Sequence, residues 1–238
     1  MLKRTLLFLI ALPFFAAAQP ELNWFDHPGS IFLEDGTEKK GFIRTYGSND
    51  EPWHFQSTIR FMDSTTWNGL KKARNKDFKK YDPDEIKGYR LSDLDLTYLS
   101  KPFADMSSVS IKMIKKQYFM RGIVLGKINF YHYYDAPPNV YIGAEGEYEK
   151  IKQESAMNNY ALVEKGGGKL KNITDIDLKE TIADCPAVLK KYEAGDYGPS
   201  PMDSGKKKGL GKFVAKVIDS NRMKEYAAPM FRDYNNCQ

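Results

Sequence analysis

The side chains with the most chemical potential in this 238-residue chain are few and scattered. Three histidines are present, His27, His54 and His132. None stands in an H-x-x-x-H or H-E-x-x-H frame, so their spacing supports no zinc site. His132 falls in a β-like run beside Phe130 and reads as a satisfied sheet residue. The acids Asp82, Asp84 and Glu85 cluster in "YDPDEIKGY". Calcium takes about six to eight oxygens, and three acids without an Asp-x-Asp-x-Asp-Gly frame supply too few. "GKKKGLGK" imitates a phosphate loop, but Gly205 lies one residue too far from Gly211-Lys212. Phe213 also stands where a Ser or Thr would hold magnesium. No G-x-S-x-G elbow occurs. A Ser/His/Asp set would have to assemble from distant loops. Asp93 and Asp95 are candidate glycosidase acids, but two apart on a strand they share one face, usually the solvated one. No metal and no cofactor is expected.

Binding chemistry has better support. Tyr131 and Tyr133 alternate in "KINFYHYY" and fall on one side of a strand. With Trp53 or Trp67 they would form an exposed aromatic strip for sugar or peptide. The competing reading is a second packing face covered by the C-terminal helices. The basic runs Lys71 to Lys80 and Lys206 to Lys212 suit anionic polymers or lipid head groups, or are solvated faces. The formal net charge is +5, from 36 Lys+Arg against 31 Asp+Glu, too even a balance to argue for nucleic acid.

The chain start sets the compartment. "MLKRTLLFLIALPFFAAAQP" has a basic front, an apolar run from Thr5 to Phe15, then Ala16, Ala17 and Ala18. That is the three-part pattern of a secretory signal peptide, with cleavage expected after Ala18. The apolar run is short of the roughly 20 residues that span a bilayer, and no later segment is apolar for long enough. The protein is therefore expected to be exported, periplasmic or extracellular, with no transmembrane segment. In an oxidising compartment, two cysteines in a whole chain predict one disulfide, Cys185 to Cys237.

These residues need elements to hold them. "SIFLEDGTEKKGFIRTYG" places Asp35-Gly36 between β-favouring runs, a hairpin signal. "HFQSTIRFMD", "SSVSIKMIKKQY" and "KINFYHYY" alternate as half-buried strands. "NYALVEKGGGKLKNIT" reads as a hairpin turning at Gly166 to Gly168. Residues 65–85 read as a basic loop, and residues 135–158 as a Pro- and Gly-bearing excursion. From residue 175 the period becomes helical, with Asp175 and Asp184 as candidate caps and Pro186 at a first helical turn. Leu210, Phe213, Val214, Val217 and Ile218 form an apolar stripe, and Pro229 is expected to end or kink that helix. The expected fold is α+β: an antiparallel, curled β-sheet body with C-terminal helices packed on it. The divisions are 1–18 signal peptide, 19–174 β-rich body and 175–238 helical region, the last two within one domain.

Two motifs carry a family resemblance. "FKKYDPDEIKGYRL" fits Y-x-P-x-[DE]-I-x-G-[YF], and "ADCPAVLKKYEAGDYG" fits D-C-P-x-[VL]-x-x-K-x-x-x-G-x-Y. With the final "YNNC", the chain resembles a broad group of uncharacterised secreted proteins of Bacteroidota. The resemblance implies no catalytic residue, and it implies that the D-C-P cysteine and the tail cysteine pair. The expected function is a non-catalytic exported envelope or secreted binding protein, its partner an envelope polysaccharide or protein. The alternative is a hydrolase of esterase or glycosidase type with a dispersed active site.

Overall fold

The computed structural model describes residues 20–48, 50–103, 116–137, 145–157, 159–198 and 225–237. The described residues form ten strands: β1 (Asp26–Phe32), β2 (Glu38–Arg44), β3 (Ile59–Asp63), β4 (Lys79–Tyr81), β5 (Gly88–Leu91), β6 (Leu96–Phe103), β7 (Lys116–Val124), β8 (Ile128–Tyr134), β9 (Asn159–Lys165) and β10 (Lys171–Asn172). The helices are α1 (Ser64–Asn68), α2 (Glu145–Met157), α3 (Leu178–Ile182), α4 (Pro186–Ala194) and α5 over 225–235. The class is α+β.

All strands belong to one open antiparallel sheet, ordered β10-β9-β8-β7-β6-β5-β1-β2-β3-β4. Two meanders, β1 to β4 and β5 to β10, join where β5 returns to pair with β1. Both edges are short, and β4 exposes Lys79 and Lys80. Short charged edges discourage pairing with other chains. The β1–β2 turn is the expected one: Gly36 has φ +87°, and the Asp35 carboxylate accepts from the Thr37 N–H at 2.8 Å.

One face of the middle of the sheet is a continuous core. Ile31, Ile43, Ile59, Phe61, Tyr89, Leu91, Leu96, Tyr98 and Phe119 come from six adjacent strands. Phe55 and Ile86 close it from turns. Tyr89 stacks on Tyr98, with centroids 5.0 Å apart, and its hydroxyl donates to the Phe55 carbonyl. A second core lies under the C-terminal helices. Ile128, Phe130, Ala161 and Val163 of the sheet meet Leu178, Ile182, Val188, Ala227, Met230, Phe231 and Tyr234.

The sheet is far from flat. Tyr98, Arg121, His132 and Ala161 form one row across β6 to β9. Lys101 lies three positions to one side of that row and Glu164 three to the other. In a flat sheet six rows span about 20 Å, at roughly 3.3 Å per residue. Yet the Lys101 ammonium lies 2.7 Å from Glu164 Oε2. The sheet must therefore coil strongly enough to bring the far end of β6 toward β9.

Several local expectations need correction. The run at 54–58 is no strand: Pro52–Gln56 forms a 3₁₀ turn, and β3 starts at Ile59. Gln56 uses its amide instead as a strand mimic, donating to the Tyr134 carbonyl at 2.7 Å and accepting from the Tyr134 N–H at 2.6 Å. Loop 65–85 contains α1 and β4, because Asp63 caps α1 through Thr66 and Trp67 stacks on Phe42. Excursion 135–158 contains α2. Asp177 caps α3, where Asp175 was expected. Asp184 is not the cap of α4: Cys185 occupies that place, and the Asp184 carboxylate pairs elsewhere. Pro186 does stand at the first turn of α4. Pro229 does not end its helix, since residues on both sides are helical. Ala227, Met230, Phe231 and Tyr234 recur at helical spacing against the core, and that burial outweighs one missing donor. The leader, the run 107–115 and the stripe 210–218 lie outside the described residues.

The other half of the sheet depends on a buried ion pair. Arg44 Nε and Nη2 donate to Asp26 at 2.5 and 2.8 Å, both side chains being almost fully enclosed. Arg44 also donates to Asn75 at 2.6 Å and lies 4.2 Å from the Phe78 ring centroid. Removing one partner strands the other charge. Asp26→Ala is expected to cost about 3–5 kcal/mol in urea unfolding, and replacing both with apolar residues should recover much of that loss. A cost below about 1 kcal/mol would contradict this role.

Candidate functional site

The aromatic residues of the β6–β9 face do converge, but on the inside. Tyr131 is 0% exposed and Tyr133 is 6%. Trp53 and Trp67 are buried too. The free-standing strip expected from sequence is therefore not formed by these four residues. Among the described residues, α3, α4 and α5 lie on the other face. They take the Ile128 and Phe130 side of β8, whereas Tyr131 and Tyr133 pack on the opposite side with Met120 and Leu162. Phe103, Tyr118, Tyr133 and Tyr160 come from four successive strands and stack as one cluster. Phe103 and Tyr118 lie 4.9 and 5.0 Å from Tyr133 by ring centroid. The coiling of the sheet brings Phe103 within ring contact of Tyr133 and Tyr160.

A polar group lies within this aromatic face. Glu164 Oε2 accepts from the Lys101 ammonium at 2.7 Å, the Tyr131 hydroxyl at 3.1 Å and the Asn129 amide at 3.4 Å. The Lys101 ammonium also lies 5.4 Å from the Tyr131 ring centroid. Burial, with the Glu164 charge beside it, pushes the Tyr131 phenol well above its ordinary range. Tyr131 therefore acts as a neutral donor. The Asn129 carbonyl oxygen accepts from the Gly126 N–H at 2.9 Å. That N–H is only a donor, so it assigns which amide atom faces Glu164. Lys101, Asn129 and Glu164 are far apart in sequence, and only the alternation of β8 and β9 hints that Asn129 and Glu164 share a face.

The C-terminal clasp is a second polar assembly. Cys185 and Cys237 are bonded, with Cα atoms 6.2 Å apart and a sequence separation of 52. Closing a loop of that length restricts the unfolded chain by about 4 kcal/mol. Asn235 fixes the tail to β8 by accepting from the Ile128 N–H at 2.8 Å and donating to its carbonyl at 2.9 Å. Gly126 leaves room for this, since a Cβ there would meet the Asn235 amide nitrogen at 2.6 Å. Asp184, beside the disulfide, accepts from Tyr234 and Lys165 at 2.7 and 3.0 Å. These bonds, the tyrosine's first, lower its pKa below the usual aspartate value.

Other sequence candidates are engaged structurally. Asp93 bonds His27 at 2.8 Å and Asp95 bonds Arg90 at 2.9 Å, so the two acids face different partners. Asp82 accepts from Thr58 and Lys80, and Glu85 closes the same turn. Among the described residues, no group of three or more His, Cys, Asp or Glu side chains is arranged to hold a metal ion. None of the helices described is long and apolar enough to cross a membrane.

An exposed aromatic patch escaped the sequence reading. Trp24 is 87% exposed, and Leu22, Phe25 and Tyr46 are exposed as well. Phe25 and Tyr46 lie 5.1 Å apart by ring centroid. The Thr45 N–H donates to the Phe25 carbonyl and holds them together beyond β1 and β2. No protein family, curated protein or solved structure matches the chain.

Asp184 predicts a pH dependence. Its folded pKa is lowered, so its stabilisation is complete above the ordinary aspartate value of about 3.9 and is lost as pH falls through the lower, folded value. Asp184→Asn should therefore unfold more easily than the natural protein at neutral pH. The two urea midpoints should converge as the pH is lowered through that window. A gap that widened on acidification would contradict the assignment.

Proposed function

We propose that this is an exported, non-catalytic envelope or secreted protein that binds another macromolecule, a polysaccharide or a protein. The observation that carries the reading is the exposed patch of Leu22, Trp24, Phe25 and Tyr46. Clustered large apolar side chains are costly to leave in water and commonly mark interaction sites. Tryptophan and tyrosine supply much of the binding energy in such sites. The signal-peptide pattern and the disulfide support export, and the engaged state of Asp93, Asp95 and His27 favours structure over hydrolysis. The two sequence motifs support membership of the secreted Bacteroidota group. The site thus moves from Tyr131 and Tyr133 to the end of the β1–β2 hairpin.

The test is a glycan array together with pull-down from envelope extract, followed by titration of the ligand identified. Trp24→Ala should weaken that binding about 30-fold, the equivalent of roughly 2 kcal/mol, without lowering the melting temperature. Equal binding by Trp24→Ala would remove the patch from the account. Robust turnover of an ester or glycoside, with no ligand retained, would overturn the non-catalytic reading.

A further inference from the structure

Lys101, Asn129 and Glu164 form more than a buried salt bridge. One carboxylate oxygen, Glu164 Oε2, holds an amine on one side and the nitrogen of a primary amide on the other. The amide carbonyl is polarised by the Gly126 N–H. A nucleophilic amine and an amide electrophile thus share one carboxylate as proton carrier, and the amide oxygen already has a donor where an oxyanion would develop. The Tyr131 ring lies 5.4 Å from the Lys101 ammonium, and its hydroxyl holds the carboxylate in place.

We propose that the chain crosslinks itself here, forming an isopeptide bond between Lys101 Nζ and Asn129 Cγ with Glu164 as the catalytic residue. Glu164 first takes a proton from the Lys101 ammonium. The neutral amine then attacks Asn129 Cγ, and the new C–N bond forms as the carbonyl oxygen gains negative charge against the Gly126 N–H. Glu164 delivers a proton to the amide nitrogen, the old C–N bond breaks, and that nitrogen leaves as ammonia. The carbonyl re-forms, and the second proton of the attacking nitrogen returns to the carboxylate or to water. One amide bond is exchanged for another, so no oxidant, cofactor or activated donor is consumed. The product staples β6 to β8 across β7 and fixes the coil of the sheet. A covalent staple suits a protein that works outside the cell, where chaperones and energy-dependent refolding are absent. The crosslink is independent of the binding function proposed above.

The experiment is intact mass spectrometry of the purified, disulfide-bonded protein, followed by peptide sequencing. The natural chain should weigh about 17 Da less than its disulfide-bonded sequence, the mass of one ammonia lost in the amide exchange. Lys101→Arg and Glu164→Gln should each recover that mass. Lys101→Arg keeps the positive charge beside Glu164, so it remains informative if the second variant folds poorly. Cyclisation of an N-terminal Gln19 also loses ammonia, so the linkage is located by peptides. A branched peptide joining the segments around Lys101 and Asn129 should appear in the natural protein and be absent in both variants. A natural chain with no branched peptide, or a loss that persists in Lys101→Arg, would overturn the proposal.

Discussion

Strand β8 must be dry on both sides, and much of the structure follows from that constraint. Ile128 and Phe130 face one way, Tyr131 and Tyr133 the other, and all four are buried. A strand with two apolar faces needs two covers. One cover is the helical C-terminal region, with Phe231 in edge contact with Phe130. The other includes the far end of β6, which the Lys101–Glu164 contact holds over the β8–β9 face. The ends of β8 need separate treatment, because pairing with β7 covers only Phe130 to His132. Side-chain amides of Asn235 and Gln56 supply the missing bonds at Ile128 and Tyr134. Buried backbone groups left without such partners would cost about 1–3 kcal/mol each.

The disulfide has a clear place in this scheme. α3, α4 and α5 are short, and helices of that length hold together through packing rather than propensity. Cys185 lies at the start of α4 and Cys237 just past α5. Their bond fixes the two ends of the helical cover to each other, and Asn235 and Lys127 fix the tail to β8. Asp184, Lys165 and Tyr234 add an ionic layer above the same seam. The lysine charge is disfavoured by partial burial, but its bonds to Tyr234 and Asp184 outweigh that and raise its pKa.

Much of this was legible in the residues themselves. Alternation located β8, Gly166 to Gly168 marked the turn after β9, and cysteine arithmetic in an oxidising compartment named the bond. Pro186 announced α4. The failures share one cause, which is that local pattern carries no information on distant partners. Alternation cannot say what covers a face, so Tyr131 and Tyr133 were legible as a packing face or an exposed strip, and only the fold shows them buried. Gln56 looked like a strand residue because its role depends on Tyr134, 78 positions away. The Lys101, Asn129 and Glu164 set requires the coiling of the sheet, which no local signal encodes. Trp24 and Phe25 sit in a stretch without periodicity, and only the fold shows that Tyr46 joins Phe25.

The claim that β8 is the doubly covered centre of the protein is tested most directly by native-state hydrogen exchange. The account predicts that amides of β8 and mid-β9 belong to the slowest set and exchange through global unfolding. Reduction of Cys185–Cys237 should speed exchange first in 178–194 and 225–235 and then at Ile128. Exchange of β8 amides as fast as those of the edge strands β4 and β10 would contradict it.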